Sequence, residues 1–110
     1  MKTIVVPVNK GAQSRLDIDQ SVDGDLVEIV LDECDFERLW KSGVFHELNE
    51  SADVVIDDFE SESITGPEKL NAALFAVSQL AVSKDDVMLI RLEELFKLAV
   101  KFQTGVYFYF

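Results

Sequence analysis

The stretch Val106-Tyr107-Phe108-Tyr109-Phe110 (VYFYF) decides the fold. Its β-branched and aromatic residues favour a strand. A period of two puts Val106, Phe108 and Phe110 on one face and Tyr107 and Tyr109 on the other. A strand that is aromatic on both faces is expected in the middle of a sheet, covered on each side. The segment before it, VMLIRLEELFKLAVKF (87–102), has helical spacing instead. Met88, Leu92, Leu95, Ala99 and Phe102 share one face, Asp85 or Asp86 can cap the start, and Gly105 ends the helix. Lys97 and Lys101 lie near its C-terminal end, where cations complement the helix dipole. Further back, TGPEKLNAALFAVSQLAV (65–82) is the clearest helix in the chain. Thr65 or Gly66 precedes Pro67 and Glu68 in its first turn, and Leu70, Leu74, Val77 and Ala81 form its apolar stripe.

The first half reads as strands with one helix. KTIVVPV is a strand with Pro7 at its end or on an edge. SRLDIDQ alternates Leu16 and Ile18 with charges, the pattern of a half-buried strand. Asp23-Gly24 is a turn signal, and LVEIVL returns as the second arm of a hairpin. DECDFERLWKSG changes to helical spacing at Phe36, Leu39 and Trp40, with Asp32 or Asp35 as cap and Gly43 as stop. VFHELNE adds one more helical turn, and DVVID is the next strand. This order predicts an α+β domain spanning residues 1–110: a mixed or antiparallel sheet of about five strands, with two or three helices packed on one face. The length suits one domain, and no linker or internal repeat divides it.

Charge narrows the function more than length does. The formal net charge is −11. Asp17 to Glu62 contains sixteen acidic residues against Arg38 and Lys41, a balance of −14. The remainder has five acidic and eight basic residues, a balance of +3. So lopsided a field repels polyanions, which argues against nucleic acid or an anionic membrane as partner. It attracts a basic protein, over a range that salt shortens. No apolar run has the length of a signal-peptide core or a bilayer span. Cys34 is the single cysteine, which leaves no intramolecular disulfide or thiolate cluster. A cytoplasmic protein is expected.

Catalytic and metal chemistry find little to work with. DIDQSVDGDLVE (17–28) places Asp17, Asp19, Ser21, Asp23, Asp25 and Glu28 at the six ligand positions of a calcium loop. Val22, however, stands where that loop needs glycine, and the residues before it alternate like a strand where a helix should enter. His46 is the only histidine and has no nucleophile motif to serve. Cys34 lies between Glu33 and Asp35, whose charges oppose a thiolate. No glycine-rich phosphate loop occurs. A non-enzymatic protein with no cofactor and no metal is expected.

What remains is SADVVIDDFESESIT (51–65), where Asp57, Asp58, Glu60 and Glu62 fall within six residues with nothing basic among them. In a continuing strand Asp58, Glu60 and Glu62 would share a face at roughly 6.7 Å intervals. That is near the roughly 7 Å between phosphates along a nucleic-acid strand. Ile56 has the same parity as these acids and Phe59 the other, so a bulge or loop near Asp58 is expected; a charge-protected edge strand is the plainer account.

VVIDDFESESIT, PEKLNAAL and LEELFKLAVKFQTGVYFYF together resemble small bacterial immunity proteins of contact-dependent growth inhibition and related polymorphic toxin systems. The resemblance covers about residues 53–110. It implies a cytoplasmic protein that binds one cognate toxin, the C-terminal nuclease-like domain of a large secreted effector, and blocks its active site or substrate cleft. A basic RNase or DNase would account for the acidic half. The expected contacts are Asp57, Asp58, Phe59, Glu60 and Glu62, with Asp32, Glu33, Asp35, Glu37 and Trp40 as a second patch. An acidic nucleic-acid mimic acting on a host or phage DNA-binding protein, and a small calcium-binding protein, are the alternatives.

Overall fold

A computed structural model describes residues 2–110. In chain order the elements are β1 (Lys2–Pro7), α1 (Lys10–Asp17), β2 (Leu26–Leu31), α2 (Glu33–Ser42), α3 (Val44–Ala52), β3 (Ser61–Thr65), α4 (Pro67–Lys84), α5 (Val87–Phe102) and β4 (Gly105–Tyr109). The strands form one sheet in the order β2-β1-β4-β3, and every neighbouring pair is antiparallel.

β4 is an interior strand, as its two aromatic faces require. Val106 and Phe108 are fully buried beneath the helices, whereas Tyr107 and Tyr109 on the reverse face are half-buried. Thr3 and Val5 of β1 flank these tyrosines on one side, Ser61 and Ser63 of β3 on the other. The main core joins Ile4, Val6, Ile29, Leu31, Ile64 and Phe108 of the sheet to apolar stripes of α2–α5. In α4 the buried residues are Leu70, Ala73, Val77 and Ala81. In α5 they include Met88, Leu92, Leu95 and Ala99, and Asp86 caps the helix by accepting the Met88 amide.

The fold class holds, but the count and placement of elements do not. Among the described residues the sheet has four strands rather than about five, and five helices accompany it rather than two or three. SRLDIDQ is not a strand: residues 10–17 are helical, started by Asn9, whose Oδ1 accepts the Ala12 amide at 2.8 Å. This helix lies on the tyrosine side of the sheet, where Gln13 donates to the Tyr107 hydroxyl at 3.1 Å. Ala12 and Val5 are buried there, outside the main core. VFHELNE is a full helix, α3, and Gly43 in left-handed conformation (φ 84°) makes the corner between α2 and α3.

DVVID is not a strand either. Asn49 takes the place of a neighbouring strand, its Oδ1 accepting the Ile56 amide at 2.7 Å and its Nδ2 donating to the Ile56 carbonyl at 3.2 Å. A segment whose backbone groups are met in this way has no need of a ladder. Pairing begins only at Ser61. Gly105 opens β4 rather than ending α5, which stops at left-handed Gln103 (φ 56°). A Cβ on Gly105 would stand 2.7 Å from Thr65 Cγ2 and 2.9 Å from the Ile64 carbonyl oxygen, so close β3–β4 packing requires glycine there.

Candidate functional site

The acidic segment is a loop whose shape its own side chains maintain. Asp57 Oδ1 accepts the Asp58 amide at 2.8 Å, and Asp58 Oδ1 accepts the Phe59 amide at 2.9 Å. These bonds turn the chain tightly and bring Phe59 to the tip in left-handed conformation (φ 64°). Bulky residues seldom adopt that conformation. Phe59 is also 87% exposed, the most exposed large apolar residue described. The Glu60 carbonyl then accepts the Phe110 amide at 3.2 Å and returns the chain to the sheet.

Lys2 joins this loop to the rest of the protein. Its ammonium bonds Asp58 Oδ1 and reaches the Phe110 carbonyl at 3.4 Å. The same ammonium lies 4.6 Å from the ring centre of Phe36 in α2 and 5.1 Å from that of Phe59, within cation–π range of both. Two acidic stretches, residues 32–37 and 57–62, therefore meet at one corner of the molecule.

Below that corner is an aromatic cluster. Phe36 meets Phe110 edge-to-face at 5.0 Å and lies 5.8 Å from Trp40; Phe45 lies 5.3 Å from Phe110. Trp40 remains 45% exposed. The corner thus presents two accessible aromatics, Phe59 and Trp40, around this packed cluster.

The carboxylates chosen from the sequence divide into two groups. Asp32 and Asp35 form a capping box at the start of α2, each accepting the other's backbone amide. Glu37 is paired with Lys41 at 2.8 Å, and that hydrogen bond holds its carboxyl below the ordinary range. Asp58 is taken by Lys2. Glu62 folds back, accepting the Ser63 amide at 2.8 Å through Oε1 and the Val55 amide at 3.0 Å through Oε2. All of these serve the protein's own structure, as Asp57 does in part by accepting the Asp58 amide. Glu33, Asp57 and Glu60 are exposed, and among the described residues none of the three has a cationic partner.

Sequence reasoning missed Lys2, Phe36 and Phe110 as the parts that hold the corner together. The only hint was that Lys2 and Phe110 occupy the outer ends of two strands, and their adjacency follows from β1–β4 pairing that no local pattern shows.

The calcium-loop residues do not converge. Asp25 is bound by Arg15 through two bonds of 2.7 Å, while Glu28 lies within β2. Among the described residues no three His, Cys, Asp or Glu side chains gather to hold a metal ion. His46 is exposed on α3, 3.3 Å from Glu50, and Cys34 is exposed on α2. Among the described residues no helix is long and apolar enough to cross a membrane. Compared with protein-family models, with curated proteins and with solved structures, the chain has no match.

Proposed function

We propose that this chain is a non-enzymatic inhibitor of the immunity type, which binds a basic toxin domain, a nuclease, and closes its active site or substrate cleft. The observation that carries the reading is the corner built on Lys2. Phe59 projects from it between Asp57 and Glu60, and Glu33 and Trp40 lie on the neighbouring helix. With the one adjacent cation, Lys2, neutralised by Asp58, an excess of unpaired acids around a protruding aromatic is the composition of a steered contact. The acids accelerate encounter, and the buried ring slows dissociation.

Geometry disfavours mimicry of a nucleic-acid strand. An even row of acids would require the strand to continue through Asp58, whereas the chain turns there and Glu62 is engaged with backbone amides.

The direct test is to identify the gene beside this one and, where it encodes a large secreted protein, to co-express its C-terminal domain with this chain; the absence of such a gene would count against the reading. Restored growth and a complex whose affinity falls as salt rises are the expected results. A complex that forms equally well with Asp57, Phe59 and Glu60 all replaced by alanine would remove this corner from the interface.

A further inference from the structure

The reverse face of the sheet carries a second feature, separate from the Phe59 corner. An open cleft of about 410 Å³ is lined by Leu16, Asp17, Asp19, Ser63, Tyr107 and Tyr109, among others. Its floor follows from strand register. Tyr107 pairs with Ser63 and Tyr109 with Ser61, so the small side chains of the edge strand leave both rings uncovered on that side. Its far wall is the end of α1, where Asp17 accepts from the Tyr107 hydroxyl at 3.3 Å and Asp19 follows in left-handed conformation (φ 60°). Among the described residues neither aspartate has a cationic partner, and the Tyr109 hydroxyl has no protein partner. Burial raises the titration range of both tyrosines, so at neutral pH they are uncharged and the charge comes from carboxylates: Asp17, Asp19 and, at the edge-strand rim, Glu62, whose oxygens already accept the Val55 and Ser63 amides.

We propose that this cleft receives an arginine side chain of the protein partner, with the guanidinium stacked on the tyrosine rings and bonded to Asp17 and Asp19. Aromatic faces beside free carboxylates suit an organic cation. A planar guanidinium uses both at once, stacking on a ring while its fork meets a carboxylate, whereas an ammonium acts as a point charge. The cleft begins at Ser61, directly after Glu60, so a basic protein seated on the Phe59 corner needs only to extend over the β3 edge to reach it. The inference rests on the reading of that partner as basic.

The test is an NMR titration of the full chain with a triarginine peptide. The expected result is saturable shifts at Ser61, Ser63, Tyr107 and Tyr109, with apparent affinity about fivefold weaker in Asp17→Asn/Asp19→Asn, the sum of two exposed charge contacts. Asparagine tolerates the left-handed backbone at 19 and still accepts from Tyr107 at 17, so the double variant folds. Trilysine should bind more weakly than triarginine. Shifts that magnesium chloride reproduces, or that the double variant leaves unaltered, mean a diffuse ion atmosphere and overturn the proposal. Shifts that grow with protein concentration before peptide is added mean self-association and overturn it too. Shifts confined to residues 57–60 overturn the cleft and leave the corner reading standing. Shifts at neither surface sink both.

Discussion

Arg15 grips Asp25 with its Nε and Nη2 each 2.7 Å from a different carboxylate oxygen. Asp25 also accepts the Val22 amide at 3.0 Å and is only 5% exposed. The pair closes the connection between α1 and β2, so it fixes where the helix on the reverse face sits over the sheet.

Acid should release this clamp. The Arg15 hydrogen bonds, aided by the Val22 amide, lower the Asp25 titration to about 2, below the roughly 3.9 of an unfolded aspartate. Between those values the unfolded chain binds more protons than the folded one. The stability the pair contributes is therefore complete above about pH 4 and is lost as pH falls through about 2. Thermal midpoints followed from neutral pH to pH 2 should fall less steeply in Asp25→Asn than in the parent. Parallel curves would show that the clamp does not govern acid stability.

Lys2→Met separates charge from preorganisation. It makes the protein more negative, so if charge alone governed binding a basic partner would bind tighter. Instead affinity should weaken, because Asp58 and Phe59 lose the ammonium that holds them. Folding stability should drop by about 1 kcal/mol, as for a half-exposed charged hydrogen bond. Amide exchange at residues 57–60 should accelerate. Tighter binding in this variant would mean that the loop needs no anchor.

Two phenylalanines should behave in opposite ways. Phe108 is wholly buried between Phe45 and Phe96, and Phe108→Ala should cost about 3–5 kcal/mol in urea unfolding. Phe59→Ala should change stability by less than about 1 kcal/mol but, on the proposed function, weaken binding of the basic partner by about 2 kcal/mol or more, the signature of an anchor residue. Unchanged affinity would demote Phe59 to an ordinary surface side chain.

Neighbouring glutamates should also separate. Glu60→Gln removes an unpaired exposed charge and should lessen the salt dependence of binding with little effect on folding. Glu62→Gln replaces a carboxylate that accepts two backbone amides with a group that can accept only one while presenting a donor to the other. It should lower stability by about 1–2 kcal/mol and alter the salt dependence less. The reverse pattern would return Glu62 to the contact surface.

What sequence reveals here depends on whether a residue's role is local. α4, α5 and the interior position of β4 were legible because helical stripes and a doubly aromatic strand are properties of the segment itself. Gly43 as a stop and Asp32 as a cap were legible for the same reason. Leu16 and Ile18 misled, since two alternating apolar residues fit a strand as well as a helix end, and Ile18 proves exposed. The signal available was Asn9, a good cap three residues ahead of a buried alanine. DVVID misled because β-branched residues predict an extended chain, not a partner, and Asn49 supplies the bonds a partner would make. β3 was hidden because an edge strand with one fully buried residue, Ile64, has almost no period. In the acidic loop composition was legible, but which carboxylates were already occupied depended on Lys2, placed there by pairing between chain ends.

β4 lies between β1 and β3, yet it is the last of the four strands in chain order. A ribosome that has delivered everything through Thr104 has made one antiparallel pair, β1 with β2, and a β3 segment with no neighbour to pair with. Neither Phe110, which supports the loop through Glu60 and packs under Phe36, nor the β1–β4 pairing that brings Lys2 beside it yet exists. The Lys2 corner is thus assembled only as translation of this region finishes, and a nascent chain stalled before Gly105 would have its acidic residues but no shaped surface on which to present them.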